Sequence, residues 1–344
     1  MTIPAIPKGS LVLVTGVNGY IGSHIAKHLL EYGYRVVGTV RDAYKANYMH
    51  ALLDEKYGED SFKVHIIEDM AVDGAFDEVV KDCAGIIHVA SDLTLNPNPY
   101  EVIPMVLSGV KNALTAAARN PSVKRFVYTS SSAAATAPIV NKRFHVDAGT
   151  WNDADVEAAW APPPYNDDRK LAVYAASKTL AEKECWRFMR EEKPGFILNT
   201  VLPNCNIGKI LSEEQPASTG GWYKKMWEGD AEILKLLREQ FAPQHYVNVT
   251  DTALLHIAAL LEEDVVGERL LAFAGPFNFN DTADLMEKFD AEGYGDGSRR
   301  FERIKDASKD LKTVDTKRAQ QLLWRYGRPG FTSLEVSLRE AIES

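Results

Sequence analysis

Leu11-Val12-Leu13-Val14-Thr15-Gly16-Val17-Asn18-Gly19-Tyr20-Ile21-Gly22 runs a β-branched segment into a glycine-rich turn and then into a helix. A continuous apolar run of this length suits a strand covered on both faces. Glycines at 16, 19 and 22 let backbone N–H groups approach a pyrophosphate, and the helix start favours anionic charge there. Glycine spacing alone also describes a tight strand–helix turn. Its place between a first strand and a first helix is the context of a dinucleotide loop. Outward from it, further buried-strand runs lie at 35–40, 62–67, 85–90 and 126–130. Helical period fills 21–32, through Ile25, Leu29 and Tyr32, and again about 100–119. This alternation predicts βαβ units in an α/β fold: a Rossmann-type doubly wound parallel sheet. A helix over 170–192 and a strand over 196–202 continue it. Beyond Pro203 the pattern loosens into shorter helices mixed with aromatics. Residues 251–262 regain helical period, and Thr332-Ser333-Leu334-Glu335 reads as a capping box that starts a terminal helix. Residues 161–164 and 293–298 read as loops.

The 344 residues carry a net charge of −9. Anionic partners are disfavoured by that balance, so neither nucleic acid nor a membrane surface is expected. Apolar stretches are too short for a transmembrane helix, and the opening residues have no signal-peptide core. Cys83, Cys185 and Cys205 are sparse and odd in number, which fits free thiols and a cytoplasmic protein. The eight histidines show no zinc-ligand spacing, so no metal site is expected.

After the second strand comes Val40-Arg41-Asp42, with Lys45 close behind. Arg41 and Lys45 suit charge-assisted bonds to a 2′-phosphate, which points to NADP(H). In the other reading both are solvated cations and Asp42 takes the ribose. Tyr174 and Lys178, at i and i+4, share a helix face. A nearby ammonium helps a phenol exchange protons, as general acid–base chemistry requires. Thr129-Ser130-Ser131-Ser132 follows a strand end, where open α/β sheets place their reacting groups. A hydroxyl there suits a substrate carbonyl oxygen.

These motifs resemble those of the extended short-chain dehydrogenase/reductase superfamily. Thr15-Gly16-x-x-Gly19-x-x-Gly22, Glu68-Asp69-Met70, His88-Val89-Ala90-Ser91, Thr129-Ser130-Ser131 and Tyr174-x-x-x-Lys178 carry the resemblance. Within it the chain is similar to fungal NADPH-dependent aldehyde and ketone reductases, relatives of dihydroflavonol and cinnamoyl-CoA reductases. Arg41, Lys45, the surroundings of Tyr174, Leu202-Pro203-Asn204 and Gly327-Arg328-Pro329-Gly330 point that way. The resemblance implies a carbonyl reductase with Ser131, Tyr174 and Lys178 as catalytic residues, Tyr174 giving the proton. The serine run leaves neighbouring registers open. It implies cofactor contacts from Gly16, Asn18, Gly19, Tyr20, Ile21, Gly22, Arg41, Lys45, Asp69, Met70, Ala90, Ser91, Tyr174, Lys178 and Pro203. Asn112 is expected to position the active-site helix or a water. Relatives of this kind are monomers or homodimers.

Residues 1–203, completed within 245–275, are expected to form the dinucleotide-binding domain. Residues 204–344 are then mainly a smaller, interleaved substrate region. Leu93, Asn204, Trp222, Phe241, Gln244 and Tyr246 are candidate pocket residues for a small-molecule carbonyl substrate. Two alternatives stay open: a nucleotide-sugar epimerase or dehydratase, and a non-enzymatic NADP(H)-sensing regulator.

Overall fold

In the computed structural model, residues 4–58, 60–216 and 218–344 are described. The strands are β1 (Leu11–Thr15), β2 (Arg35–Val40), β3 (Phe62–Ile66), β4 (Cys83–His88), β5 (Arg125–Thr129), β6 (His145–Val146), β7 (Ile197–Pro203), β8 (Cys205–Ile207), β9 (Gln244–Asn248), β10 (Arg269–Ala272), β11 (Gly275–Phe277) and β12 (Thr313–Val314). The helices are α1 (Tyr20–Glu31), α2 (Asn47–Tyr57), α3 (Pro99–Arg119), α4 (Asp153–Trp160), α5 (Lys170–Glu192), α6 (Ser218–Glu228), α7 (Ala231–Glu239), α8 (Val249–Leu261), α9 (Phe279–Phe289), α10 (Lys317–Arg325) and α11 (Leu334–Ile342).

Seven strands pair in the order β10-β7-β5-β4-β1-β2-β3, all parallel. Strand order reverses between β1 and β4, so ligands are expected beyond their carboxyl ends. Period-2 alternation splits the core. Val12, Val14 and Val127 pack with α1 and α8 on one face. Leu13, Phe126 and Tyr128 pack with α3 and α5 on the other. Both faces are apolar because both are covered. A second, three-stranded sheet, β11-β9-β8, packs with α6, α9 and α11 around Tyr223, Met226, Phe277 and Met286. Among the described residues no helix is long and apolar enough to cross a membrane.

The elements depart from the sequence reading where side chains intercept the backbone. The strand expected over 85–90 ends at His88, because the amides of Val89 and Ala90 leave the ladder and donate to Thr15 Oγ1 at 2.9 and 3.0 Å. The terminal helix is capped by Ser333, whose Oγ accepts from the Val336 amide at 3.3 Å. Thr332 is drawn instead to the buried Asp251 carboxylate, 2.6 Å from its amide and 3.1 Å from its hydroxyl. The capping box belongs to α9, between Asn278 and Asp281. Of the loop expected over 293–298, the first two residues close a π-turn, Asp290–Tyr294, that continues α9.

Candidate active site

Beyond the carboxyl ends of β1, β4, β5 and β7 lies one cleft of about 1730 Å³. Gly16, Asn18, Gly19, Tyr20, Ile21 and Gly22 form one wall. Gly16 has φ +62°, and a Cβ there would sit 3.1 Å from Ala90 Cα. A Cβ on Gly22 would come 2.4 Å from the Gly16 carbonyl oxygen. The turn therefore closes only without side chains at these points. No side chain caps α1, whose N-cap is Gly19. Its unpaired leading N–H groups suit an anion. Tyr48 OH holds the Asn18 carbonyl, and Tyr20 OH donates to the Gly208 carbonyl at 2.8 Å. Opposite the loop, Ala90 and Ser91 line the cleft, and among the described residues the buried Ser91 Oγ has no hydrogen-bond partner. A narrow glycine cradle, an uncapped helix start and an orphaned hydroxyl fit a dinucleotide.

Arg41 and Lys45 stand exposed at the end of β2 and border the same cleft. Among the described residues neither joins an ion pair. Asp69 and Met70 border it too, and Asp69 Oδ1 accepts the Ala71 amide at 2.8 Å. The expectation that Asn112 positions the helix of Tyr174 is corrected. Its amide donates to the Met70 and Val72 carbonyls, each at 2.9 Å, and so braces this loop and not the helix of Tyr174.

Successive turns of α5 meet the end of β5. Tyr174, Lys178 and Glu182 recur every four residues on one face. Burial raises the Tyr174 phenol above its ordinary value, and the neighbouring Ser131 hydroxyl opposes that rise. Lys178 Nζ donates to the Thr129 carbonyl at 3.2 Å. Burial pulls the Lys178 ammonium down to about 8, against the opposing pull of Glu182. Ser130 Oγ donates to Glu182 Oε2 at 2.7 Å. Ser131 Oγ accepts the Ala133 amide at 3.2 Å and lines the cleft together with Tyr174. A phenol, a hydroxyl and an ammonium line the cleft beside the glycine loop.

Residues 12–268 match the NAD dependent epimerase/dehydratase family. The chain belongs to that family. It is 41% identical over 339 residues, 98% of both chains, to the NAD-dependent epimerase/dehydratase terH of Aspergillus terreus. It is 39% identical over 342 residues to aldehyde reductase 2 of Sporidiobolus salmonicolor, covering 98% of this chain and 97% of that protein. Among solved structures, Gre2 from Candida albicans in complex with NADPH superposes with a TM-score of 0.79 at 25% identity, over 97% of this chain and 98% of that one.

In this member of the family the far end of the cleft is walled by the second sheet and its helices. Pro203, Asn204, Trp222, Phe241 and Gln244 border it, and Leu93 stands exposed at its mouth. Trp222 and Phe241 meet edge to face, their centroids 5.6 Å apart. Asn204 Oδ1 accepts the Cys205 amide at 2.8 Å. Cys205 is buried, and burial pushes its thiol up to about 12. Tyr246 is corrected: it lies outside the cleft lining and packs edge-on to Phe277 at 5.9 Å. Two residues beyond Gln244, it is about 7 Å further along β9, inside the second core. Three residues escaped the sequence reading. Glu182 has the α5 spacing as its signal. Lys312 and Asp310 lie in an irregular segment with no periodicity; they form a buried ion pair, and Asp310 meets His245 Nδ1 at 2.8 Å.

Proposed function

We propose that this protein is an NADP(H)-dependent carbonyl reductase, converting small aldehydes or ketones to alcohols. The observation that carries it is the convergence of Tyr174, Lys178 and Ser131 between the glycine loop and an apolar pocket. When bound, the dinucleotide supplies the hydride. Ser131 holds the substrate carbonyl oxygen, and Tyr174 gives it the proton. Lys178 biases the phenol electrostatically and offers an ammonium to the nicotinamide ribose. With the dinucleotide bound, Pro203 would border its nicotinamide end and Asp69 its adenine end. Charge supports NADP(H): among the described residues Arg41 and Lys45 join no ion pair at the rim, whereas Asp42 Oδ1 caps a local turn. The names of relatives that reduce aldehydes, and a neighbour that holds NADPH, favour the same reading.

We assign residues 1–203, completed within 245–275 by α8 and β10, to the dinucleotide unit, and 204–344 mainly to substrate. Among the described residues Arg41 is the only arginine in the cleft lining. That leaves a nucleotide-sugar pyrophosphate without the guanidinium partners it calls for at the substrate end.

The test follows NADPH absorbance with a panel of aryl ketones, aldehydes and β-keto esters. Stoichiometric oxidation is expected with wild type. Tyr174→Phe is expected to lose at least about a hundredfold in kcat, the scale of general acid catalysis, while still binding NADPH. Binding of NADPH without consumption by the wild-type protein would falsify the reductase reading and favour a sensor. Wild-type kcat in Tyr174→Phe would remove the proton-donor role.

A further inference from the structure

Glu182 is fully buried one turn below Lys178 on α5. Its carboxylate collects donors from three other elements. Ser130 Oγ reaches Oε2 at 2.7 Å and Thr200 Oγ1 reaches Oε1 at 2.7 Å. Arg269 Nε reaches Oε1 at 2.8 Å, and its Nη2 reaches Oε2 at 3.2 Å. Trp186 Nε1 adds a longer contact of 3.4 Å from the next turn of the helix. Arg269 is fixed in turn. Its Nη1 donates to the Ala148 and Thr150 carbonyls at 2.7 and 2.8 Å, and its guanidinium lies 3.7 Å over the Trp151 ring. The pair therefore ties α5 to the ends of β5 and β10 and to the middle of β7.

A buried ion pair is a poor way to gain stability, because desolvation offsets the attraction and well-packed apolar residues often do as well. This one sits where its field and its bonds reach the reacting group. Thr129 and Ser130 are bonded by successive turns of α5, Thr129 by Lys178 and Ser130 by Glu182, and the next residue, Ser131, lines the cleft together with Tyr174 from the turn before Lys178. We propose that Glu182, held by Arg269, is a positioning residue that presents Lys178 and Ser131 to Tyr174 and supplies the negative charge opposite the Lys178 ammonium. The inference rests on the roles of Tyr174 and Lys178 proposed above.

The surroundings of Lys178 leave that charge to Glu182. On α5 the groups acting on it are Glu182 and the buried Cys185 thiol, which stays protonated because burial raises it, and Tyr174 lies one turn away. From β5 come the Tyr128 ring, 5.7 Å away, and the Thr129 carbonyl. From β4 comes His88, kept neutral because burial pulls it down to about 3. Glu182 is thus the sole carboxylate among these groups, and Arg269 partly offsets it. Removing either member moves the Lys178 equilibrium, in opposite directions.

The test is the pH profile of kcat for carbonyl reduction, beside titration of Lys178 in ligand-free protein carrying 13Cε-lysine, its resonance assigned by loss in Lys178→Met. Glu182→Gln keeps the side-chain shape and loses the charge. It is expected to lower kcat about tenfold, leave the KM for NADPH within about twofold, and move both the alkaline limb and the lysine titration down by about half a pH unit or more. Arg269→Gln leaves the carboxylate uncompensated and is expected to move both up. Folded variants whose titrations coincide with wild type would make the pair merely structural and overturn the proposal, as would failure of both variants to fold. If one variant does not fold, the direction of shift in the other decides. If wild type oxidises no NADPH with any carbonyl, the reductase reading fails separately, and the lysine titration still decides the pair.

Discussion

Asp42 Oδ1 accepts the Tyr44 amide at 2.9 Å and caps the short turn Ala43–Ala46. Its neighbours Arg41, Tyr44 and Lys45 border the cleft, whereas Asp42 does not. One Asp42 oxygen is turned to its own loop, whereas the Arg41 and Lys45 side chains beside it face the cleft lining. Replacing Arg41 and Lys45 together by alanine is expected to raise the KM for NADPH at least about tenfold, the worth of one charge-assisted hydrogen bond. The KM for NADH is expected to change little. Steady-state kinetics with both cofactors checks this, and an unchanged NADPH preference removes the assignment.

Gly22 packs against Gly16 so closely that an added Cβ would lie 2.4 Å from its carbonyl oxygen. Backbone must then move, and overpacking of this kind costs about 1–3 kcal/mol. Gly22→Ala is expected to lower Tm and to abolish quenching of protein fluorescence by NADPH. At Gly19 the nearest contact of a Cβ is 3.3 Å, so Gly19→Ala is expected to fold at nearly wild-type Tm while weakening the cofactor.

Local rules made most of this site readable. β1, the glycine turn and α1 are contiguous, so one stretch of sequence states both their order and their purpose. Tyr174 and Lys178 share a face by helix geometry alone. What stayed hidden depends on distant contacts. Nothing near Asn112 reveals that it braces carbonyls some forty residues earlier. Thr332 satisfies the capping pattern locally, but Asp251 on α8 competes for it and shifts the cap to Ser333. Tyr246 looked like a pocket aromatic because composition does not say where along a strand the cleft ends and the second core begins. Glu182 carried the right spacing, yet its partner Arg269 lies 87 residues away.

Three histidines are buried in neutral form. Burial holds His24 and His88 down to about 3 and His256 to about 4, against an ordinary 6.5. Each folded value lies below the unfolded one, so the stability they protect is present above about pH 6.5 and falls as protons bind the unfolded chain. Each is expected to cost on the order of 2 kcal/mol by pH 5, before most carboxylates titrate. Urea midpoints measured between neutrality and mild acid are expected to fall steeply. In His256→Gln, where the amide replaces the bonds to Thr129 Oγ1 and the Thr252 carbonyl, the slope is expected to be shallower. A slope identical to wild type would place the acid sensitivity elsewhere.

The aromatic wall at the far end of the cleft gives a prediction with an internal control. Trp222 borders the cleft and braces Phe241, which in turn lies 6.3 Å from Phe277. Trp222→Ala is expected to remove apolar contact from a bulky substrate, worth about 1–3 kcal/mol or some ten- to two-hundredfold in kcat/KM. A two- or three-carbon aldehyde that does not reach the wall is expected to lose little. Tyr246 packs against the same Phe277 from outside the cleft, so Tyr246→Phe is expected to leave the ratio between the two substrates unchanged. Comparing kcat/KM for an aryl ketone and a short aldehyde across both variants reads this directly. A selectivity change in Tyr246→Phe, or none in Trp222→Ala, would move the substrate wall away from the Trp222–Phe241 pair.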